Sequence, residues 1–161
     1  MIEFKNVSKA YDDGVTVIDN INLRINQGEF VVLIGPSGCG KSTVLRMMNK
    51  GERPTKGSIY FKGRNVSKIK KTELRRNIGY VKQNTNLSPK LTIGENIKQA
   101  AGLSEAEGQD GEYGNIKVKE LLEMVGMDPS EYIDRFPNQL SGGQQQRIGI
   151  VQELAKEPDI L

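Results

Sequence analysis

With 161 residues and 23 basic against 20 acidic side chains, the chain is long enough for one domain and too evenly charged for a protein that coats nucleic acid. One cysteine and no histidine exclude an internal disulfide and a conventional zinc cluster, so a metal has to arrive with a ligand. No apolar run of about 18 residues is present, nor an apolar stretch behind Met1-Ile2-Glu3-Phe4-Lys5, which predicts a protein that meets a membrane only through partners.

Ile21, Leu23 and Ile25 alternate with Asn20, Asn22, Arg24 and Asn26, the period-two pattern of a half-exposed antiparallel strand. After the turn at Gln27-Gly28, the run Phe30-Val31-Val32-Leu33-Ile34 is apolar throughout and predicts a central strand covered on both faces. The residues from Lys41 to Met48 read as helix, and Pro54 with Gly57 marks a turn into a short strand at Ile59-Tyr60-Phe61. The basic stretch Lys68-Ile69-Lys70-Lys71 with Arg75-Arg76 reads as a solvated helix face rather than a nucleic-acid contact. A further strand is predicted at Ile78-Gly79-Tyr80-Val81, followed by an exposed loop carrying Gln83, Asn84, Asn86, Ser88 and Pro89. Gly102 to Asn115 is rich in Gly, Glu, Asp and Gln and poor in large apolar residues, which predicts a flexible surface insertion. Val118, Leu121, Leu122 and Val125 fall at i, i+3, i+4 and i+7, an amphipathic helix that Gly126 ends. Beyond Pro137 a helix is expected from about Ser141 to Ala155, with Ile148, Val151 and Ala155 on one face.

Two segments carry chemistry. Gly35-Pro36-Ser37-Gly38-Cys39-Gly40-Lys41-Ser42 fits G-x-x-x-x-G-K-S/T and lies where that pattern has meaning, after an apolar strand and before a helix. Its glycines let successive N–H groups turn inward and, with the helix N-terminus, surround phosphate oxygens. Lys41 would reach the β- and γ-phosphates, Ser42 would offer its hydroxyl to Mg²⁺, and Thr43 would add a hydrogen bond to phosphate. The structural alternative is a strand-to-helix turn that needs small residues only, and Cys39, at a variable position of the pattern, reads as a spectator. About one hundred residues on, Leu140-Ser141-Gly142-Gly143-Gln144 is a second small-residue turn opening a helix. Read alone, it makes Ser141 a helix N-cap beside a tight glycine loop; read with the first motif, it is a second phosphate-facing turn.

These two motifs resemble those of the ABC ATPases over the whole chain. The resemblance implies an α/β P-loop NTPase fold with an N-terminal antiparallel β subdomain, a parallel core sheet and a helical subdomain, incomplete at the C-terminus. It places a β subdomain and phosphate-loop core in residues 1–92, a helical subdomain with the signature in 93–147, and a truncated return to the core in 148–161. It implies an ATPase that binds ATP with Mg²⁺ and closes head to tail with a second ATPase subunit, so that Ser141, Gly142, Gly143 and Gln144 meet ATP held by Gly35, Pro36, Ser37, Gly38, Cys39, Gly40, Lys41, Ser42 and Thr43 of the other protomer. Tyr11 is then expected to stack on adenine, and Gln83 to serve Mg²⁺ and the attacking water. The implied partners are transmembrane permease subunits and, indirectly, a substrate-binding protein; no nucleic acid is expected. The implied location is the cytoplasmic side of the cell membrane, held peripherally. Met47-Met48-Asn49-Lys50 and the stretch Glu131 to Gln139 resemble, more locally, the glycine betaine, carnitine and choline uptake branch.

The chain also departs from that pattern. After Pro158-Asp159-Ile160-Leu161 the family continues to an Asp-Glu pair and a histidine, none of which is present, so the chain alone is expected to grip ATP with impaired hydrolysis and with Phe30 to Ile34 uncovered. Gly51-Glu52-Arg53 is polar where the family is mostly apolar, Ser88 stands for a common aromatic, and Gln152-Glu153 for a common Arg-Ala.

Overall fold

The computed structural model describes residues 1–12, 14–82, 85–102 and 109–161, and the side chains among these except those of 109–113. The chain divides into two compact units, Met1–Arg75 and Arg76–Leu161.

The first unit is built on a four-stranded antiparallel sheet of order β2-β1-β3-β4, from β1 (Ile2–Ala10), β2 (Thr16–Ile25), β3 (Lys56–Phe61) and β4 (Arg64–Asn65). The alternation read at Ile21 to Ile25 is there: Ile21, Leu23 and Ile25 are half-buried between exposed polar neighbours, and Leu23 pairs with Phe4. Register puts Ile2 opposite Phe61 and Phe4 opposite Ile59, so one face of the sheet is apolar, and all four side chains are buried. Removing each from water contributes about 1.5–3 kcal/mol. Against this core lies α1 (Lys41–Met48), which buries Val44, Met47 and Met48. Gly57 has φ +78, and a Cβ there would sit 2.2 Å from the Asn6 carbonyl oxygen of β1, so only glycine lets β3 approach β1 at that point.

After β4 comes a short helix, α2 (Lys71–Asn77), and the second unit is mainly helical: α3 (Ile93–Ala101), α4 (Gln109–Met124), α5 (Pro129–Tyr132) and α6 (Gly142–Leu154). Val118, Leu121 and Leu122 of α4 are buried with Ile93 and Ile97 of α3 and with Ile148, Val151 and Ala155 at the end of the chain. Gly126, at φ +68, follows α4 as expected. Asn96 is buried, and its side chain donates to the carbonyls of Ser88, Leu91 and Thr92 and accepts from the Ser88 N–H, which fixes the loop ahead of α3.

Three expectations are corrected. Phe30 to Ile34 is no strand: no other described segment hydrogen-bonds it in a ladder, and Phe30 and Ile34 are each 92% exposed. An apolar β-branched run becomes a strand only where neighbours satisfy its amides and cover its faces. Ile78 to Val81 likewise forms only one parallel bridge, Ile78 to Ile160, and this bridge is all the parallel pairing among the described residues. The expected insertion of Gly102 to Asn115 is helical from Gln109 onward, as the first turns of the helix whose buried positions begin at Val118; residues 103–108 lie outside the described residues. Gly102 itself closes α3 at φ +72.

Candidate functional site

The chain from Gly35 to Cys39 is an exposed loop that turns through the buried Gly40 directly into α1. Gly40 has φ +94, and a Cβ there would lie 2.8 Å from Cδ1 of Ile18 and 3.1 Å from the Val17 carbonyl oxygen. Glycine is therefore required both by the backbone conformation and by the close approach of β2. No side chain caps this helix start. The N–H groups of the first turn, apart from those bonded within the loop, remain available to an external acceptor, and the helix dipole adds positive potential there. Gly38, at φ +81, supplies the second left-handed turn of the loop.

Lys41 folds its ammonium back across the loop, donating to the carbonyls of Gly35 and Pro36, both at 2.7 Å. The charge is thus held at the loop while its carbonyl partners are ones an anion can replace. The side chain of Ser42, next along the helix, is exposed, and Thr43 is buried. A cavity of about 440 Å³ opens here, lined among others by Tyr11, Val17, Lys41, Ser42, Thr43 and Arg46. Tyr11, 30 residues upstream of Lys41 in sequence, is therefore brought to the phosphate loop by β1.

Tyr11 is held from several sides. Its hydroxyl lies 3.3 Å from Oγ1 of Thr43 and donates at 3.3 Å to Oε1 of Glu52. Glu52 also pairs with Lys9 at 3.3 Å and Arg46 at 3.5 Å, and Arg46 donates to Oγ1 of Thr43 at 3.2 Å. Glu52 and Arg46 were not among the residues singled out for the site from sequence, although the polar character of the segment containing Glu52 was visible there. Among the described residues, three carboxyls are held below their ordinary range: Glu29 by the Asn26 side chain and amide, Asp128 by Ser130, and Glu157 by Lys117.

The signature turn lies in the second unit. Ser141 is the N-cap of α6, and with Gln144 it forms a reciprocal box: the Ser141 hydroxyl accepts from the Gln144 N–H and the Gln144 side chain accepts from the Ser141 N–H. The Gln144 amide also donates to the Tyr132 hydroxyl at 3.1 Å. Gly142 and Gly143 are exposed, and a Cβ at either would meet nothing within 4 Å. The N-cap reading of Ser141 is thus observed, and exposure leaves the face of both glycines open to another molecule. Gln83 lies outside the described residues.

Residues 18–161 match the family model for the ABC transporter. The choline transport ATP-binding protein OpuBA of Bacillus subtilis strain 168 is 45% identical over the whole chain, which spans 41% of OpuBA's length. The cell division ATP-binding protein FtsE of the same organism is 41% identical over the whole chain and 70% of its own length. A solved structure, the dimeric post-hydrolysis state of the ATP-binding cassette MJ0796 bound to ADP and Pi, superposes with a TM-score of 0.84 at 37% identity, covering 98% of this chain and 71% of that one. The likeness shows the α/β P-loop fold expected from sequence, with the expected parallel core sheet reduced to the Ile78–Ile160 bridge among the described residues. Among the described residues no helix is long and apolar enough to cross a membrane. The phosphate loop, the signature turn and a family match over nearly the full length together make this chain a member of the ABC transporter family, in the region of its ATP-binding domain.

Proposed function

We propose that this chain is the nucleotide-gripping part of an ATPase that powers an importer for quaternary amines such as glycine betaine, carnitine or choline. The observation that carries the nucleotide reading is the single cavity in which Tyr11, Lys41, Ser42 and Thr43 meet. Lys41 holds the β- and γ-phosphates, the open amides from Gly35 to Ser42 receive phosphate oxygens, and Tyr11 stacks on adenine. The exposed Ser42 hydroxyl, a hard oxygen donor beside Lys41, suits Mg²⁺. When bound with nucleotide, that ion offsets charge on the phosphate oxygens. Gln83 is assigned to the ion and the attacking water, and Ser141, Gly142, Gly143 and Gln144 to ATP held by a second ATPase subunit in a head-to-tail pair.

In function the chain is divided as a β subdomain with phosphate-loop core in 1–92, a helical subdomain in 93–147 and a return to the core in 148–161. The whole protein hydrolyses ATP on the cytoplasmic face of the membrane, bound to permease subunits that a substrate-binding protein supplies. The solute rests on the name of OpuBA and on the stretches around Met47 and Glu131. In vesicles holding the cognate permease, choline uptake is expected, and Lys41→Ala is expected to abolish it; uptake at the unmodified rate in that variant rules the assignment out. The likeness to FtsE favours a second reading, an ABC ATPase without a solute, which ATP turnover with no uptake of any quaternary amine would support.

A further inference from the structure

An acidic side chain beside a phosphate-binding loop is electrostatically out of place, since it repels the polyanion the loop is built to receive. Glu52 is such a residue. It lies in the segment between α1 and β3, its side chain is 23% exposed, and it accepts from the hydroxyl of Tyr11. Its charge is answered locally by Lys9 and Arg46. The Lys9 ammonium stands 4.9 Å from the centroid of the Tyr11 ring, within the range of a cation–π contact. The ring is therefore gripped at its hydroxyl by Glu52 and at one face by a cation that Glu52 itself holds.

From this arrangement we infer that Glu52 is a positioning residue: it fixes the ring of Tyr11 at the cavity before nucleotide arrives, so that the base meets an ordered platform. The inference rests on the reading of Tyr11 as the adenine platform. A tyrosine free to rotate has to be ordered on binding, and ordering one such side chain in advance is worth roughly three- to tenfold in affinity. The effect is expected at the base, because Glu52 is bonded to Tyr11, Lys9 and Arg46 and the two cations already offset its charge toward the phosphates. Its bond to the Tyr11 hydroxyl needs an acceptor oxygen, which glutamine retains and leucine lacks.

The test compares MgATP with magnesium tripolyphosphate, which has the phosphates without the base, in equilibrium titrations of the full chain. Glu52→Leu is expected to weaken MgATP roughly three- to tenfold and to leave tripolyphosphate within about twofold. Glu52→Gln is expected to stay near the unmodified protein. Lys9→Met, which removes the cation from the ring face, is expected to follow the leucine variant and serves where that variant does not fold. Equal weakening of both ligands, no change in either, or a glutamine variant as weak as leucine overturns the inference. Tyr11→Ala separates the two readings. If it removes the preference for ATP while Glu52→Leu and Lys9→Met do not, the platform stands and the role of Glu52 falls; if it leaves the preference intact, the platform reading falls and the inference with it.

Discussion

The two glycine-bearing turns of this chain open helices by opposite means. At α1 the N-cap is a left-handed glycine, Gly40, and no side chain satisfies the first amides. At α6 the N-cap is Ser141, and Ser141 and Gln144 satisfy one another's backbone N–H groups. The first turn spends no side chain on its own amides and so keeps them for a ligand; the second is complete in itself and offers an open glycine surface instead. A helix start built to bind differs from one built to be stable, and both are present here in motifs of similar composition.

Substitution at the two turns should separate these designs. Gly40→Ala is expected to have the largest effect: a non-glycine residue in left-handed backbone costs about 1–2 kcal/mol, and the added Cβ also presses on Ile18 and Val17. Nucleotide titration should show affinity reduced by roughly tenfold or more. Ser141→Ala should cost about 1 kcal/mol of stability through the lost cap, read by denaturant unfolding, with nucleotide affinity of the single chain unchanged. A binding loss equal to that of Gly40→Ala would erase the distinction.

The smallest effect is expected at a third kind of helix start. Asp128 caps α5 with a carboxylate that accepts from the hydroxyl and N–H of Ser130, and these bonds hold its pKa below the ordinary aspartate range. A lowered folded-state pKa stabilises the protein above the unfolded value, and that contribution fades as pH falls through the lowered one. Acid titration of unfolding should therefore lose a small increment below about pH 4 that Asp128→Asn no longer shows. The hydroxyl cap at Ser141 has no such dependence.

What the sequence made legible was what local chemistry decides. The helices at Lys41 and near Ser141, the strand at Ile21 to Ile25 and the stop at Gly126 depend on residues within a turn or two of each other, and each is found. Phe30 to Ile34 depends on strands far away in sequence, and composition cannot report whether they are paired to it. The start of α4 was hidden because helix propensity in Gln109 to Asn115 is outweighed on inspection by its glycines, whereas the buried stripe from Val118 onward carries the helix. At the candidate site, the pattern pointed to the loop and the resemblance to Tyr11, and both line one cavity. Neither could show that Glu52 and Lys9 hold the ring, since that contact joins β1 to the segment after α1. Asn96, which pins the loop from Ser88 to Thr92, was missed for a different reason: its partners are near in sequence, but a buried amide on a helix looks, in sequence, like a surface residue.

The single thiol of the chain, Cys39, is exposed within the phosphate loop, with its sulfur 3.5 Å from the Lys41 ammonium. The loop thus carries a chemical handle that no other position duplicates. An alkylating reagent can modify cysteine within these 161 residues only there, so the rate of that modification on this chain gauges how far the loop is covered without any label being introduced.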